Sequence, residues 1–522
     1  MSGEANIDSI RALDKQIREH ERTIIELKRA RNSLLNVSKL PPEVLGRVFS
    51  WNVMPGGDFG GLMKGSHNFL SVCHHWFEVA SHTPDLWSFW GNTPKDWMRL
   101  YPHSGAGPLD LVLDGLVYDD DDLDPALCSE LQDRAARDAI RRVHLRTKSS
   151  ELLSSIIPLL TIKCEGTQSN GVESFILWNW DETPVDVSDF FSHYRFPKLQ
   201  HLCFVNCTIS SWDNLASRTG VLTTIDLYTN HLTPSPTTSQ FLSILAANPL
   251  LQTIALARWA TPFDDRDRPS FRVALRHLKE LKLVGDLQDV FGLLHWLDHP
   301  KNMDRLTLEL EDCSVVEVSR LIGPYFRDYL RGRGKSQHGL ELTIPSNHYI
   351  ILYVRDVPGT SLPLQRADSF VAITVGLRET VSREAQEGVV LDLLAHAPWE
   401  EIVHLETDGN LVTMGSIFPN LRTLFFDGIT LSAVFPKPDR NGGALLSLRH
   451  LLLQELVVDD NDWSPLTDFL ACRASSGNRL DTLEITGSAH MCPATVEVIR
   501  DMVGEVKIDG QDPLCPFGTC PR

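Results

Sequence analysis

The side chains able to do chemistry in this chain are scattered. Cys73-His74-His75 sets a thiol beside two imidazoles, but consecutive residues of a helix point in different directions and make a poor chelate. Cys515 and Cys520 are closely spaced. A structural zinc site asks for four ligands, which His490 and Cys492 would have to complete, so the plainer expectation is a frayed tail with free thiols. The run Asp119-Asp120-Asp121-Asp122-Leu123-Asp124 has charge enough for a cation. It lacks the ligand spacing and the glycine of an EF-hand loop, and reads as a solvated loop. There is no Gly-x-x-x-x-Gly-Lys-Ser/Thr phosphate loop, no His-Glu-x-x-His and no Gly-x-Ser-x-Gly elbow. The expectation is a binding protein, not an enzyme, with no metal or cofactor.

Charge narrows the partners. The 522 residues carry a formal net charge of −19, which argues against nucleic acid as a main partner and against anionic membranes. No apolar run is long enough to span a bilayer. Residues Met1-Ser2-Gly3-Glu4-Ala5-Asn6-Ile7-Asp8 lack the apolar core of a secretory leader. The ten cysteines follow no disulfide framework. An intracellular site, cytoplasmic and/or nuclear, is expected.

The elements that must position any binding residues fall into three kinds. Residues 7–36 read as one charged helix, with Ile10, Leu13, Ile17, Ile24, Leu27 and Leu34 in alternating steps of three and four. Such a seam either pairs with a partner helix, as in a homodimer, or folds back on its own chain. Residues 39–92 read as a small helical module. Pro41 and Pro42 suit a helix start, and Val44, Leu45, Val48 and Phe49 fall on one predicted face. Phe69, Val72, Cys73, Trp76, Val79 and Ala80 repeat the pattern in a second helix, with Cys73 a small buried residue. Trp87 and Trp90 follow. Tryptophans in such a span either fill the core or form a docking surface.

The order Leu40-Pro41-Pro42-Glu43-Val44-Leu45, then Val48-Phe49, Val72-Cys73-x-x-Trp76 and Pro84-x-Leu86-Trp87 resembles an F-box. The resemblance implies a three-helix motif that binds the Skp-type adaptor of a cullin-based ubiquitin ligase. It carries adaptor binding or packing over to Leu40, Pro41, Val44, Leu45, Val48 and Trp76. The segment Met54-Pro55-Gly56-Gly57-Asp58-Phe59-Gly60-Gly61 is longer than the family's usual link, an insertion that costs little in loop entropy.

From residue 106 to 510 an internal repeat dominates. Leu222-x-x-Ile225-x-Leu227-x-x-Asn230 fits the leucine-rich-repeat template Leu-x-x-Leu-x-Leu-x-x-Asn. The frames starting at Leu199, Leu251, Leu278, Met303, Leu421, Leu448 and Leu480 share its apolar pattern. Weaker copies end at Leu145, Leu177 and Ile508. Cys207 and Asp286 replace the exit asparagine in two copies. Alternating apolar residues make a short strand with one buried face, and Gln240–Ala247 and Asp289–Leu297 have helical composition for the return path. A strand-plus-helix unit buries its edges only against neighbours. Between 310 and 400 the template gives way to the strand-like runs 340–344, 349–354 and 370–375, as an irregular stretch of one array or a break between two.

The expected architecture is α/β: an N-terminal helix (1–38), an F-box-like module (39–92), a leucine-rich-repeat solenoid or horseshoe (106–510, irregular at 310–400) and a tail (511–522). The combination resembles the large F-box families of mushroom-forming fungi. It implies a substrate receptor that holds adaptor and cullin at one end and a target protein on the repeats. The alternative is a repeat scaffold that never assembles a ligase. Within the strand frames Thr224, Asp226, Tyr228, Glu280, Lys282 and Arg305 point away from the predicted core and are the candidate target-binding residues.

Overall fold

The computed structural model describes residues 2–53, 68–87, 89–90, 108–114, 128–129, 131–133, 139–160, 171–193, 195–210, 212–228, 236–258, 272–300, 303–314, 317, 320–325, 328–329, 338–346, 349–356, 371–377, 402–407, 418–427, 431, 435, 445–456, 458, 462–487 and 491–508. The Gly-rich segment 54–61, the acidic run 119–124, Asn230, His490 and the cysteines at 515 and 520 lie outside these residues. The chain divides into two compact units, Met1–Thr219 and Gly220–Arg522. It mixes helices with mainly parallel sheet in both. No described helix is long and apolar enough to cross a membrane.

In the first unit α1 runs from Ser2 to Ser33. It stops three residues before the predicted end, where the Ser33 hydroxyl donates to the Ala30 carbonyl at 2.7 Å and Asn32 Oδ1 accepts from the Arg31 guanidinium. A 3-10 turn, Asn36–Lys39, leads into α2 (Pro42–Val53), which opens on proline as expected. The second predicted helix is split. Asn68–Ser71 is a 3-10 turn, and α3 spans only His74–Ser81. Cys73 takes an extended conformation (φ −161°) as the residue capping α3, so it precedes the helix and is half-buried rather than buried within it.

After the short strand Phe89–Trp90 come four longer strands, all parallel: β1 (Leu109–Asp114), which pairs with it, β2 (Ile140–Thr147), β3 (Ser174–Asn179) and β4 (His201–Val205). They pair in chain order. Helices α4 (Ser150–Leu160), α5 (Ser188–His193) and α6 (Trp212–Arg218) lie between or after them. The core below is aromatic. Phe175 stacks on Phe190 with ring centres 4.2 Å apart, and Phe191, Phe196 and Phe204 close around them. Burying each such ring contributes about 2–3 kcal/mol. The strand exits are held by Asn179 and Asn206, each one residue earlier than the template position. Asn179 donates to the Thr183 carbonyl at 2.6 Å and accepts from the Asp181 N–H at 3.0 Å. Asn206 (φ 54°) donates to the Asp181 carbonyl. Cys207 stands next in line as a buried residue.

The second unit opens with β5 (Thr224–Tyr228), β6 (Thr253–Ala257), β7 (Glu280–Asp286) and β8 (Arg305–Cys313), again parallel and in chain order. Helix α7 (Thr238–Ala247) starts in a capping box, Thr237 Oγ1 accepting from the Gln240 N–H while Gln240 Oε1 accepts from the Thr237 N–H. It ends at Asn248, which is fully buried and joins the Ile244 carbonyl to the Leu222 N–H. Helix α8 (Leu287–Trp296) follows β7, with Asp286 as its capping residue.

The irregular region is an antiparallel excursion. Strands β9 (His338–Ser346), β10 (Tyr349–Asp356) and β11 (Val371–Leu377) form where the strand-like runs predict them. β10 is antiparallel to both neighbours, while β11 pairs parallel with β8 and β9 pairs parallel with the next strand, β12 (Ile402–Thr407). Parallel order then resumes through β13 (Thr423–Asp427), β14 (His450–Gln454), β15 (Leu480–Thr486) and β16 (Val503–Ile508), with α9 (Ser464–Ser475) and α10 (Pro493–Met502) between the later strands. A Cβ at Gly504 would sit 2.7 Å from the Asp481 carbonyl oxygen, so β16 closes on β15 only with glycine there. Every apolar frame position from Leu199 to Leu308 and from Leu421 to Ile485 is at most 3% exposed.

Candidate functional site

The helical module turns one set of residues inward. Leu45, Phe49, Val79, Ala80, Leu86 and Trp87 form its core, with Leu70 and Trp76 packed against them. Phe49 and Trp76 meet at 5.1 Å between ring centres. The buried Trp87 indole donates to the Ala80 carbonyl at 2.7 Å, which satisfies its one polar atom. A Cβ at Gly46 would lie 3.1 Å from Thr83 Oγ1, so glycine lets α2 approach the turn after α3.

The same module leaves apolar residues outside. Val44 and Val48, four apart on α2, are exposed, and Leu40 and Pro41 are exposed just before the helix. The single predicted face is therefore two faces: Val44 and Val48 outward, Leu45 and Phe49 inward. Of the six residues assigned to an adaptor, Leu40, Pro41, Val44 and Val48 are available to a partner, while Leu45 and Trp76 hold the module together. Val72 and Phe77 are also exposed. Sequence reasoning placed Val72 inside, because it took the turn before α3 for part of that helix.

The α1 seam is open as well. Ile10, Leu13, Ile17, Ile24 and Leu27 on α1, and Leu34 just past its end, are each at least half exposed. No described residue covers this seam.

In the second unit the candidate target residues share one face of the sheet. Thr224, Thr253, Glu280 and Arg305 stand in register across β5 to β8, and Asp226, Ala255, Lys282 and Thr307 form the next row. Tyr228 is exposed at the end of its strand. Lys282 pairs with Glu309 at 2.8 Å, and Arg258 pairs with Glu311 at 3.1 Å. Such exposed pairs add little stability, but they offer a mixed-charge surface to a partner.

The corresponding face of β1 to β4 was not singled out in the sequence. Arg141 grips Asp110 with two hydrogen bonds of 2.9 and 2.7 Å, and Arg142 lies 3.9 Å from the same carboxylate. His144 Nε2 meets Ser174 Oγ at 2.8 Å. Burial and the neighbouring Arg142 hold the His144 imidazole down to about 4, against a smaller upward pull from Asp110. His201 is lowered by the same two causes. The Arg146 guanidinium sits 4.9 Å from the Trp178 ring centre and 5.6 Å from that of Trp180. Trp178 in turn donates to Cys203 Sγ at 2.9 Å.

Burial pushes the Cys207 thiol up, away from the reactive thiolate. Burial also pushes up the Tyr325 phenol, whose hydroxyl lies 3.0 Å from His299 Nε2. Among the described residues no three His, Cys, Asp or Glu side chains gather as a metal site. No protein-family model matches the sequence, and no curated protein matches it.

Proposed function

We propose that this chain is the substrate-recognition subunit of a Skp-cullin-F-box ubiquitin ligase. The observation that carries the reading is the outward stripe of Leu40, Pro41, Val44 and Val48 on a module whose core is Leu45, Phe49, Trp76 and Trp87. Solvent-facing apolar residues on a small, well-packed unit mark an interaction site. The parallel strands with buried Leu-x-x-Leu-x-Leu frames support a leucine-rich-repeat horseshoe with its open strand face toward a target. In this reading the chain makes and breaks no bonds. It holds adaptor and target together, and ubiquitin transfer follows from their proximity. The exposed α1 seam supports self-association of two chains through residues 7–36.

The test is co-expression with a Skp-type adaptor and cullin, followed by affinity purification. Wild type is expected to bring down both, and a Val44→Asp/Val48→Asp variant neither. A folded wild-type chain that recovers no adaptor would overturn the reading and leave a non-catalytic scaffold in its place.

A further inference from the structure

The open face of β1 to β4 carries Arg141 and Arg142 beside Asp110, and Arg146 in register with Asp114 of β1. Arg141 and Arg142 share Asp110. Arg146 makes neither an ion pair nor a hydrogen bond among the described residues, and its Nε is buried without a partner. Its planar cation is held instead by two indoles whose ring centres are 6.0 Å apart at 75°. Trp180 is 53% exposed, far above the norm for so large an apolar side chain. His144 stands in the next row and His201 in the row beyond it, and burial lowers both imidazoles, so the charged groups of this face are the arginines.

We infer that the face around Arg146, Trp178 and Trp180 docks an acidic segment of a partner protein. A carboxylate would pair with the Arg146 guanidinium, supplying charge-assisted hydrogen bonds that no described residue makes. A residue beside it would cover Trp180, since arginine and tryptophan are the residues that most often dominate interfaces. A nucleic acid could also use a cation beside an indole, but the acidity of the whole chain opposes it. This surface uses none of the adaptor-facing residues, so the inference stands or falls apart from ligase assembly.

The experiment titrates a fluorescein-labelled (Asp-Glu)4 peptide with the full-length chain and reads anisotropy. An (Asn-Gln)4 peptide and the oligonucleotide dT8 are the comparisons. The acidic peptide is expected to bind, more weakly as salt rises from about 50 to about 200 mM, and the neutral peptide not to. Arg146→Gln should weaken binding about tenfold, with Arg146→Lys in between because it keeps the charge and loses the planar fork. Trp180→Ala, at an exposed position, should weaken binding without changing circular dichroism, and it carries the test if Arg146→Gln disturbs folding. Unchanged binding in Trp180→Ala, or in a folded Arg146→Gln, would overturn the inference. Tighter binding of dT8 than of the peptide would overturn it too.

Discussion

Leu45 and Val48 sit three residues apart on α2 and face opposite media, the first 1% and the second 38% exposed. That division separates stability from recognition at this site. Leu45→Ala should cost the module about 2–5 kcal/mol through the cavity it leaves, seen as an earlier loss of near-ultraviolet tryptophan signal on heating. Val44→Asp/Val48→Asp, or alanines at Leu40 and Pro41, should leave that transition in place and abolish adaptor capture. Capture that survives both surface variants would remove the stripe from the interface.

A dimer through the α1 seam must bury about 1,200 Å² of total surface to reach the lower end of a specific interface. Ile17→Asp/Ile24→Asp places charge in that seam. The wild-type chain should scatter light as a dimer and the variant as a monomer, with equal helix content by circular dichroism. A wild-type monomer at micromolar concentration would refute the pairing.

His144 makes the first unit acid-sensitive. Its folded pKa, about 4, lies below the ordinary 6.5. Between those values the unfolded chain binds a proton that the folded chain does not. Its contribution is whole above about pH 6.5 and fades as pH falls toward 4, by on the order of 3 kcal/mol. His144→Gln, which can keep the bond to Ser174, should flatten this part of the urea-midpoint profile against pH. A profile as steep as wild type would place the acid sensitivity elsewhere.

Arg473 on α9 reaches back to the carbonyls of Leu445 and Leu448, the latter at 2.8 Å. Leu445 is itself in the left-handed region (φ 64°). Burial first, and then Arg449, lower the guanidinium to about 10. Arg473→Ala strands two carbonyls and should destabilise the second unit by about 2–4 kcal/mol in urea titration. A cost under about 1 kcal/mol would mean that water replaces the arginine.

Much of the strand pattern was legible because alternation is a local property. Leu222, Ile225 and Leu227 announce a buried face wherever the strand lies. The run 349–354 announced a strand, but not that it would run antiparallel, because pairing partners are far away in sequence. The inward and outward sides of α2 were not separable, since Val44 and Leu45 are chemically alike and adjacent. The Arg146 site was hidden for a third reason. Trp180 lies beyond β3, and an arginine between two indoles needs two segments, some thirty residues apart, brought together. The exit asparagines escaped notice because Asn179 and Asn206 arrive one residue early.

The excursion between β8 and β12 sets an order of events during synthesis. Strands β1 to β4, and then β5 to β8, can each dock on a neighbour made shortly before. β8 cannot do so on its far side, because Leu306 pairs with Val371. β9 must wait likewise, since Leu340 pairs with Leu405. The growing chain therefore carries an unpaired strand edge while some sixty residues are added, the kind of long-range closure that slows folding and invites aggregation. Translation pauses or chaperone capture would matter most at this point in the chain.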